Sequence, residues 1–400
     1  MSLNNFLRVS CLCMVVFLSA CKDKTSNEPI LNLAGQASKA VPPYNRYWSD
    51  LSRYLAGLEP QPGSVLANIE NLPAAENHRK FFDEVWAKKE ESLLKPLKAW
   101  TETEIKDVHN MEGTAYYPFS GADFFTMYTL FPTAHNYVFF GLEDEGKIPD
   151  VEKMSKERIK ANLHNLEHSI ADLMNLTFFK TKEMYTDLKS HELNGTIPIL
   201  LAFVARCGNE VIDVKPIKIS DKGEIVVLEK QDKQDPNDHT VTGVQIKFQS
   251  SAGNVQVLQY FSLNVSNHYF TKNKAYTAYI KTLEPTYTYI KAASYLMHGK
   301  EFSTIKNHLL SASTFILQDD SGMPLDAFDT SIWDLTFYGT YTKPIDLFKN
   351  KYQKDLFEVY QKEKASIKPL DFGIGYKMIK GTSNWMIARK KQVEKATGNP

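Results

Sequence analysis

Between Glu210 and Leu263 lie four short runs, Glu210–Ile219, Gly223–Glu229, Thr242–Gln249 and Asn254–Leu263. In each, Val, Ile and aromatic residues alternate roughly with polar ones, and Gly, Asp and Asn mark the ends. Alternation with period two is the pattern of half-buried strands. Ser251-Ala252-Gly253 joins the last two runs as a tight hairpin, and Asp235-Pro236-Asn237-Asp238 makes a polar loop before Thr242. Strands joined so briefly pair antiparallel, because a parallel neighbour needs a crossover of about a dozen residues or more. The middle of the chain is therefore committed to an antiparallel meander.

Helical spacing surrounds it. From Trp48 to Lys106 apolar residues recur three and four apart, as in Phe81, Phe82, Val85 and Trp86 followed by Leu93, Leu94, Leu97 and Trp100. Ser155–Leu173 and Lys182–Leu188 repeat that spacing, and helices are expected again over 269–281, 287–299, 301–311 and 347–364. Residues 113–140 differ, being aromatic and rich in small residues. Pro118 and Pro132 punctuate them, which predicts two short strands, 114–119 and 135–140, around a helical turn. The expected fold class is α+β, with helical N- and C-terminal parts packed around a central, mainly antiparallel sheet. With 43% apolar and 12% aromatic residues in a chain of 400, the chain can bury a sizeable core, and residues 46–400 read as a single globular α+β domain. The 47 basic and 47 acidic side chains cancel, leaving no overall field to draw the chain to nucleic acid.

The first twenty residues are of another kind. A lone cation, Arg8, precedes the apolar run Cys11–Leu18, and Ser19-Ala20 stand before Cys21. A charged start, an apolar stretch of roughly 7–15 residues and small residues at the cut describe a signal peptide. The run is well short of the roughly 20 residues that span a bilayer. Leu18-Ser19-Ala20-Cys21 resembles the lipobox of bacterial lipoproteins. That resemblance implies cleavage before Cys21, a diacylglycerol on its thiol and an acyl chain such as palmitate on its new amino group. Lys22 stands where lipoproteins kept at the inner membrane commonly carry Asp, so the resemblance points to the outer membrane; Lys22-Asp23 also resembles the charged export signals of surface lipoproteins in Bacteroidota. Residues 21–45 mix charge, Ser, Gly and Pro without period and read as a tether. Cys11 and Cys13 leave with the signal peptide, so Cys207 has no partner for an intrachain disulfide.

Three segments carry candidate chemistry. Tyr116-Tyr117-Pro118-Phe119-Ser120-Gly121-Ala122-Asp123 reads as a strand, a turn and a helix start, where Ser120 or Asp123 can cap the helix or the free amides can meet an anion. Asp319-Asp320-Ser321-Gly322 follows the apolar run Phe315-Ile316-Leu317. Its adjacent carboxylates suit a cation or a shared proton, and its Asp-Ser-Gly suits a tight turn with Gly supplying positive φ. His164-Asn165-Leu166-Glu167-His168 matches the inverted zinc-protease pattern, in which two histidines one helical turn apart hold Zn²⁺ and the glutamate activates water. Yet the same helix has Leu163, Leu166, Ile170 and Leu173 as a core stripe, with these polar residues on its outer face. Ser303-Thr304-Ile305-Lys306 has the form of a penicillin-recognising motif but lies too late in the chain and lacks the later K-T-G. Lys377–Pro400 reads as a basic, solvated terminal segment.

The segment 117–123, with Tyr137, Gly141-Leu142-Glu143, Phe178–Met184, Gln318–Gly322 and Tyr341–Phe348, resembles a family of uncharacterised bacterial proteins with YPFSGPD and QDDSG segments. The resemblance covers residues 110–365, departs at Ala122 and Asp144, where proline is expected, and implies no reaction. The expectation is a lipid-anchored envelope protein that binds a ligand or an envelope partner and needs no cofactor. Its candidate binding residues are Tyr117, Ser120, Asp123, Asp319, Asp320 and Ser321. The alternative is a zinc hydrolase using His164, His168 and Glu167.

Overall fold

The computed structural model describes residues 46–176, 192–231, 240–283 and 285–392. The signal peptide, Cys21 and its tether, the expected helix 182–188 and the polar loop 235–238 lie outside the described residues.

Ten strands form one sheet: β1 Thr114–Pro118, β2 Asn136–Gly141, β3 Glu210–Ile219, β4 Ile225–Val227, β5 Thr242–Gln249, β6 Val255–Ser262, β7 Thr286–Ile290, β8 Ser313–Gln318, β9 Trp333–Gly339 and β10 Asn384–Lys390. Their order is β4-β3-β5-β6-β2-β1-β7-β8-β10-β9. The expected meander is present: β4, β3, β5 and β6 pair antiparallel along one flank. On the other flank β10 pairs antiparallel with β8 and β9. The middle is different, because β6, β2, β1, β7 and β8 all run parallel. The fold is thus α+β with a mixed sheet. A helix over Phe124–Leu130 separates β1 from β2 and supplies the crossover that a parallel pair requires.

Two expectations fail here. Residues 287–299 were expected to be helical, yet Thr286–Ile290 is strand β7, followed by a loop and a short 3₁₀ turn at Leu296–His298. All five residues of β7 are buried, as are all five of β1. Burial on both faces erases the alternation that marks a half-buried strand, leaving only β-branched and aromatic residues as a signal. The supposedly solvated tail contains β10, which is inserted between β8 and β9 with Trp385, Met386, Ile387 and Ala388 buried.

Two cores lie on the alternating faces of the strands. Tyr117, Phe139, Tyr289 and Leu317 join one core with Leu51, Phe82, Leu97, Leu163 and Phe203 from helices. Tyr116, Val138, Ile290 and Ile316 join the other with Tyr276, Ile305, Leu309 and Leu356. Each such fully buried side chain contributes roughly 1.5–3 kcal/mol. No helix among the described residues is long and apolar enough to cross a membrane.

Candidate functional site at the strand ends

Parallel strands present their carboxyl ends on one edge, so the segments after β1, β2, β7 and β8 meet there. From β1 the chain continues to β2 on one side, and later returns to β7 on the other. That change of direction is a topological switch point, where ligands of open α/β sheets usually bind. The two segments singled out above, 117–123 and 318–322, therefore share an edge. They are separated by β7, and the residue that follows it is Lys291.

Lys291 ties the cluster together. Its ammonium donates to the Asp123 carboxylate, with the two side chains 1% and 3% exposed. Asp123 also accepts from the Tyr117 hydroxyl at 2.8 Å and from the Thr126 hydroxyl. Asp123 occupies the N-cap position of helix Phe124–Leu130 but caps no backbone amide with its side chain. A buried ammonium is the stronger partner for its carboxylate, so the expected cap gives way to an ion pair. Ser120 is also turned away from the helix: its hydroxyl donates to the Gly121 carbonyl at 3.0 Å. Half-buried Lys89 is near enough to feel both charges. Burial, and next the Lys291 charge, lower its pKa to about 8, with Asp123 opposing.

Asp319 and Asp320 divide their work. Asp319 accepts the Ala292 amide at 3.0 Å and the Ser321 amide at 2.9 Å, together with the Ser321 hydroxyl. Burial first, and the neighbouring Asp320 charge second, push Asp319 up to about 6 against these hydrogen bonds. Asp320 accepts from the Tyr295 hydroxyl and from Asn384 Nδ2 at 2.8 Å, with Lys377 Nζ at 3.8 Å. Gly322 closes a turn by donating to the Asp319 carbonyl at 3.1 Å. Positive φ is not its reason for being glycine; a Cβ there would meet the Gln318 side chain at 2.6 Å.

Among the described residues, the non-glycine residues with positive φ are Phe119, Ala292, Ser294 and Tyr295. All four stand in the loops after β1 and β7. Left-handed backbone costs a residue with a Cβ on the order of 1–3 kcal/mol and survives only where the surroundings impose it. Here Asp319, Ser321 and Tyr376 impose it by accepting the amides of Ala292, Ala293 and Ser294. Beside these loops is a cavity of about 70 Å³, lined by Tyr117, Phe119, Leu142, Glu143, Lys291 and Ser294 among others. Leu142, half-exposed, stands at its mouth.

No known family model and no curated protein matches the chain.

Lys291, Tyr295, Lys377 and Asn384 are not among the candidate residues of the sequence, and Glu143 enters there only through the Gly141-Leu142-Glu143 segment of the family resemblance. Lys291 follows a strand that carries no alternation, and Asn384 is the first residue of a strand within the segment expected to be a solvated tail. The one available signal for Lys291 was a lone cation directly after the apolar run Tyr287–Ile290.

The 164–168 segment lies elsewhere, on helix Lys156–Leu176. His164 and His168 bring their Nε2 atoms to 3.2 Å. His164 is 68% exposed. Glu167 is shared between two histidines: its Oε1 lies 3.1 Å from Nδ1 of buried His78, whose Nε2 meets the Leu55 carbonyl at 2.9 Å, and its Oε2 lies 3.7 Å from Nδ1 of His164. Among the described residues no group of three His, Cys, Asp or Glu side chains is placed to hold a metal ion. Cys207 is half-buried and unpaired with any other cysteine there.

Proposed function

We propose that this protein is a lipid-anchored component of the bacterial cell envelope, held at the outer membrane through Cys21, whose folded body binds a small polar ligand. The ligand site is the cavity at the β1/β7 switch point. One observation carries this reading: the strained residues of the described chain gather at the edge where the parallel strands end, around a buried ion pair and a cavity. Strain held in place by surrounding hydrogen bonds is a feature of ligand clamps and active sites. In this reading the N- and C-terminal helical parts cover the two faces of the sheet, which leaves the strand-end edge open to a ligand.

The test uses the full-length chain in a detergent without a sugar headgroup. Ligand-observed NMR is run with acetate, inorganic phosphate, ethanolamine, acetamide, glycerol and glucose. At least one probe should bind, and Leu142→Trp, which fills the mouth of the cavity, should remove that binding. If no probe binds, or if Leu142→Trp leaves binding intact, the site is misplaced. The anchor has a separate test: Cys21→Ser should abolish palmitate labelling in a bacterial host, and continued labelling would refute the lipid assignment.

A further inference from the structure

We infer that Lys291 and Asp123 condense once the chain has folded, so that the mature protein carries an amide cross-link between Lys291 Nζ and Asp123 Cγ. This self-modification site rests on the contact between the two side chains and stands independently of the ligand site proposed above.

The fold brings together two residues 168 positions apart, with Nζ directly against Oδ2 and side chains 1% and 3% exposed. The nitrogen therefore lies one C–O bond from the carbon it attacks. Groups held so close react at effective concentrations of roughly 10⁵–10⁸ M. In water an ammonium and a carboxylate persist as ions because both are strongly hydrated, and burial removes that hydration. Condensation replaces two buried charges by one neutral amide, which relieves the desolvation cost of the pair. The surroundings are aromatic, with the rings of Tyr289 and Phe139 at 4.7 and 5.3 Å from that of Tyr117. Little water is at hand there to reverse the step.

Both carboxyl oxygens already have hydroxyl donors. Thr126 donates to Oδ1, and Tyr117 donates to Oδ2 at 2.8 Å. Acyl transfer needs that division, since one oxygen gathers negative charge and the other departs with protons. One proton first passes from Nζ to Oδ2 across their contact, leaving an amine beside a carboxylic acid. The Nζ lone pair attacks Cγ, and Thr126 stabilises the charge that forms on Oδ1. Tyr117 then gives its proton to Oδ2 and takes the second proton from Nζ. The Cγ–Oδ2 bond breaks, Oδ2 leaves as water, and the carbonyl re-forms at Oδ1. The balance requires no oxidant or co-reactant. Tyr117 and Lys291 both line the cavity of about 70 Å³, which has room for the water released.

The neighbouring pair Lys377 and Asp320 differs at one point. Asp320 also has a donor on each oxygen, Tyr295 on Oδ2 and Asn384 on Oδ1, but Lys377 Nζ stands 3.8 Å away and its side chain is 13% exposed. Lacking contact, that pair should stay unlinked.

The experiment is peptide mapping of the full-length chain, purified in the same detergent, denatured and digested with trypsin. Trypsin does not cut after an acylated lysine, so the cross-link joins residues 107–147 to residues 282–300 in a single peptide, lighter than the two together by one water. This peptide should be the main form of both segments in the wild type, and fragmentation should place the bond at Lys291 and Asp123. Lys291→Arg keeps the charge and should abolish it. Tyr117→Phe and Thr126→Val should each slow its appearance in a pulse-chase by about 100-fold. Recovery of residues 107–147 and 282–291 as separate wild-type peptides of full mass would overturn the inference, whether or not any variant folds. A bond mapped to Lys377 and Asp320 instead would also overturn it. Linkage at full rate in both hydroxyl variants would overturn the route described.

Discussion

Two groups of polar residues stood out in the sequence, and the fold treats them in opposite ways. His164, Glu167 and His168 are neighbours by helical geometry alone. They stay on the helix surface, with the Glu167 carboxylate turned to His78. Asp123 lies far in sequence from the adjacent pair Asp319 and Asp320, and no single motif holds all three. The sheet gathers them, removes them from water and supplies each with partners drawn from distant segments. A motif of correct spacing is common on helices, because spacing costs nothing to achieve. Assembling buried charges from three loops, with left-handed backbone to hold them, costs stability and indicates use.

Several measurements would break or sharpen that contrast. The largest effect is expected at the buried ion pair. Lys291→Met should lower the unfolding free energy by about 3–5 kcal/mol in urea titrations, since it strands the Asp123 carboxylate. Adding Asp123→Leu should recover much of that loss, and a Lys291→Met variant as stable as the wild type would place the pair at the surface after all.

The next effect concerns pH. Asp319 binds its proton more tightly folded, at about 6, than unfolded, near the ordinary 3.9 of an aspartate. Between those values the folded state holds more protons, so this residue's contribution to stability falls as pH rises from about 4 to about 6. The stability of the wild type minus that of Asp319→Asn should therefore decline over that window, by on the order of 2 kcal/mol. A difference independent of pH would mean that Asp319 titrates normally.

Glu167 and His164 are expected to separate within their own motif. Glu167→Ala leaves the buried His78 nitrogen without its partner and should cost roughly 1–3 kcal/mol. Ala292→Gly relieves positive φ and should raise stability by about 1 kcal/mol while weakening any probe bound at the cavity, a trade that a purely structural loop would not show. The smallest effect belongs to His164→Ala. At an exposed position it should stay within about 0.5 kcal/mol and leave probe binding unchanged. Stoichiometric zinc in the purified protein, lost in this variant, would reverse the ranking of the two regions and favour the hydrolase alternative.

The legible parts of the fold share one property. The expected strands 210–219, 242–249 and 254–263 differ from the observed ones by at most a residue at an end, because each has one face more buried than the other. The helix expected over Ser155–Leu173 is observed over Lys156–Leu176 for the same reason. The segments β7 and β10 were illegible because neither shows that asymmetry: β7 is buried on both faces and β10 is buried over its first five residues. The site follows the same division. Tyr117, Ser120, Asp123, Asp319, Asp320 and Ser321 were visible as unusual turn chemistry beside apolar runs. Lys291, Lys377 and Asn384 were not, since each is an ordinary residue in its own segment and gains its role only from what faces it.

Local composition and periodicity by themselves determined the meander, the helix over Lys156–Leu176 and the two turns with candidate carboxylates. Those features are encoded within ten or twenty neighbouring residues, where side-chain period and turn preference act directly. The tertiary structure decided that β1, β2, β7 and β8 run parallel, that their carboxyl ends share an edge, and that Lys291 stands between two acidic turns. Such outcomes depend on strand order, and strand order is set by which buried faces fit together across hundreds of residues rather than by any one segment.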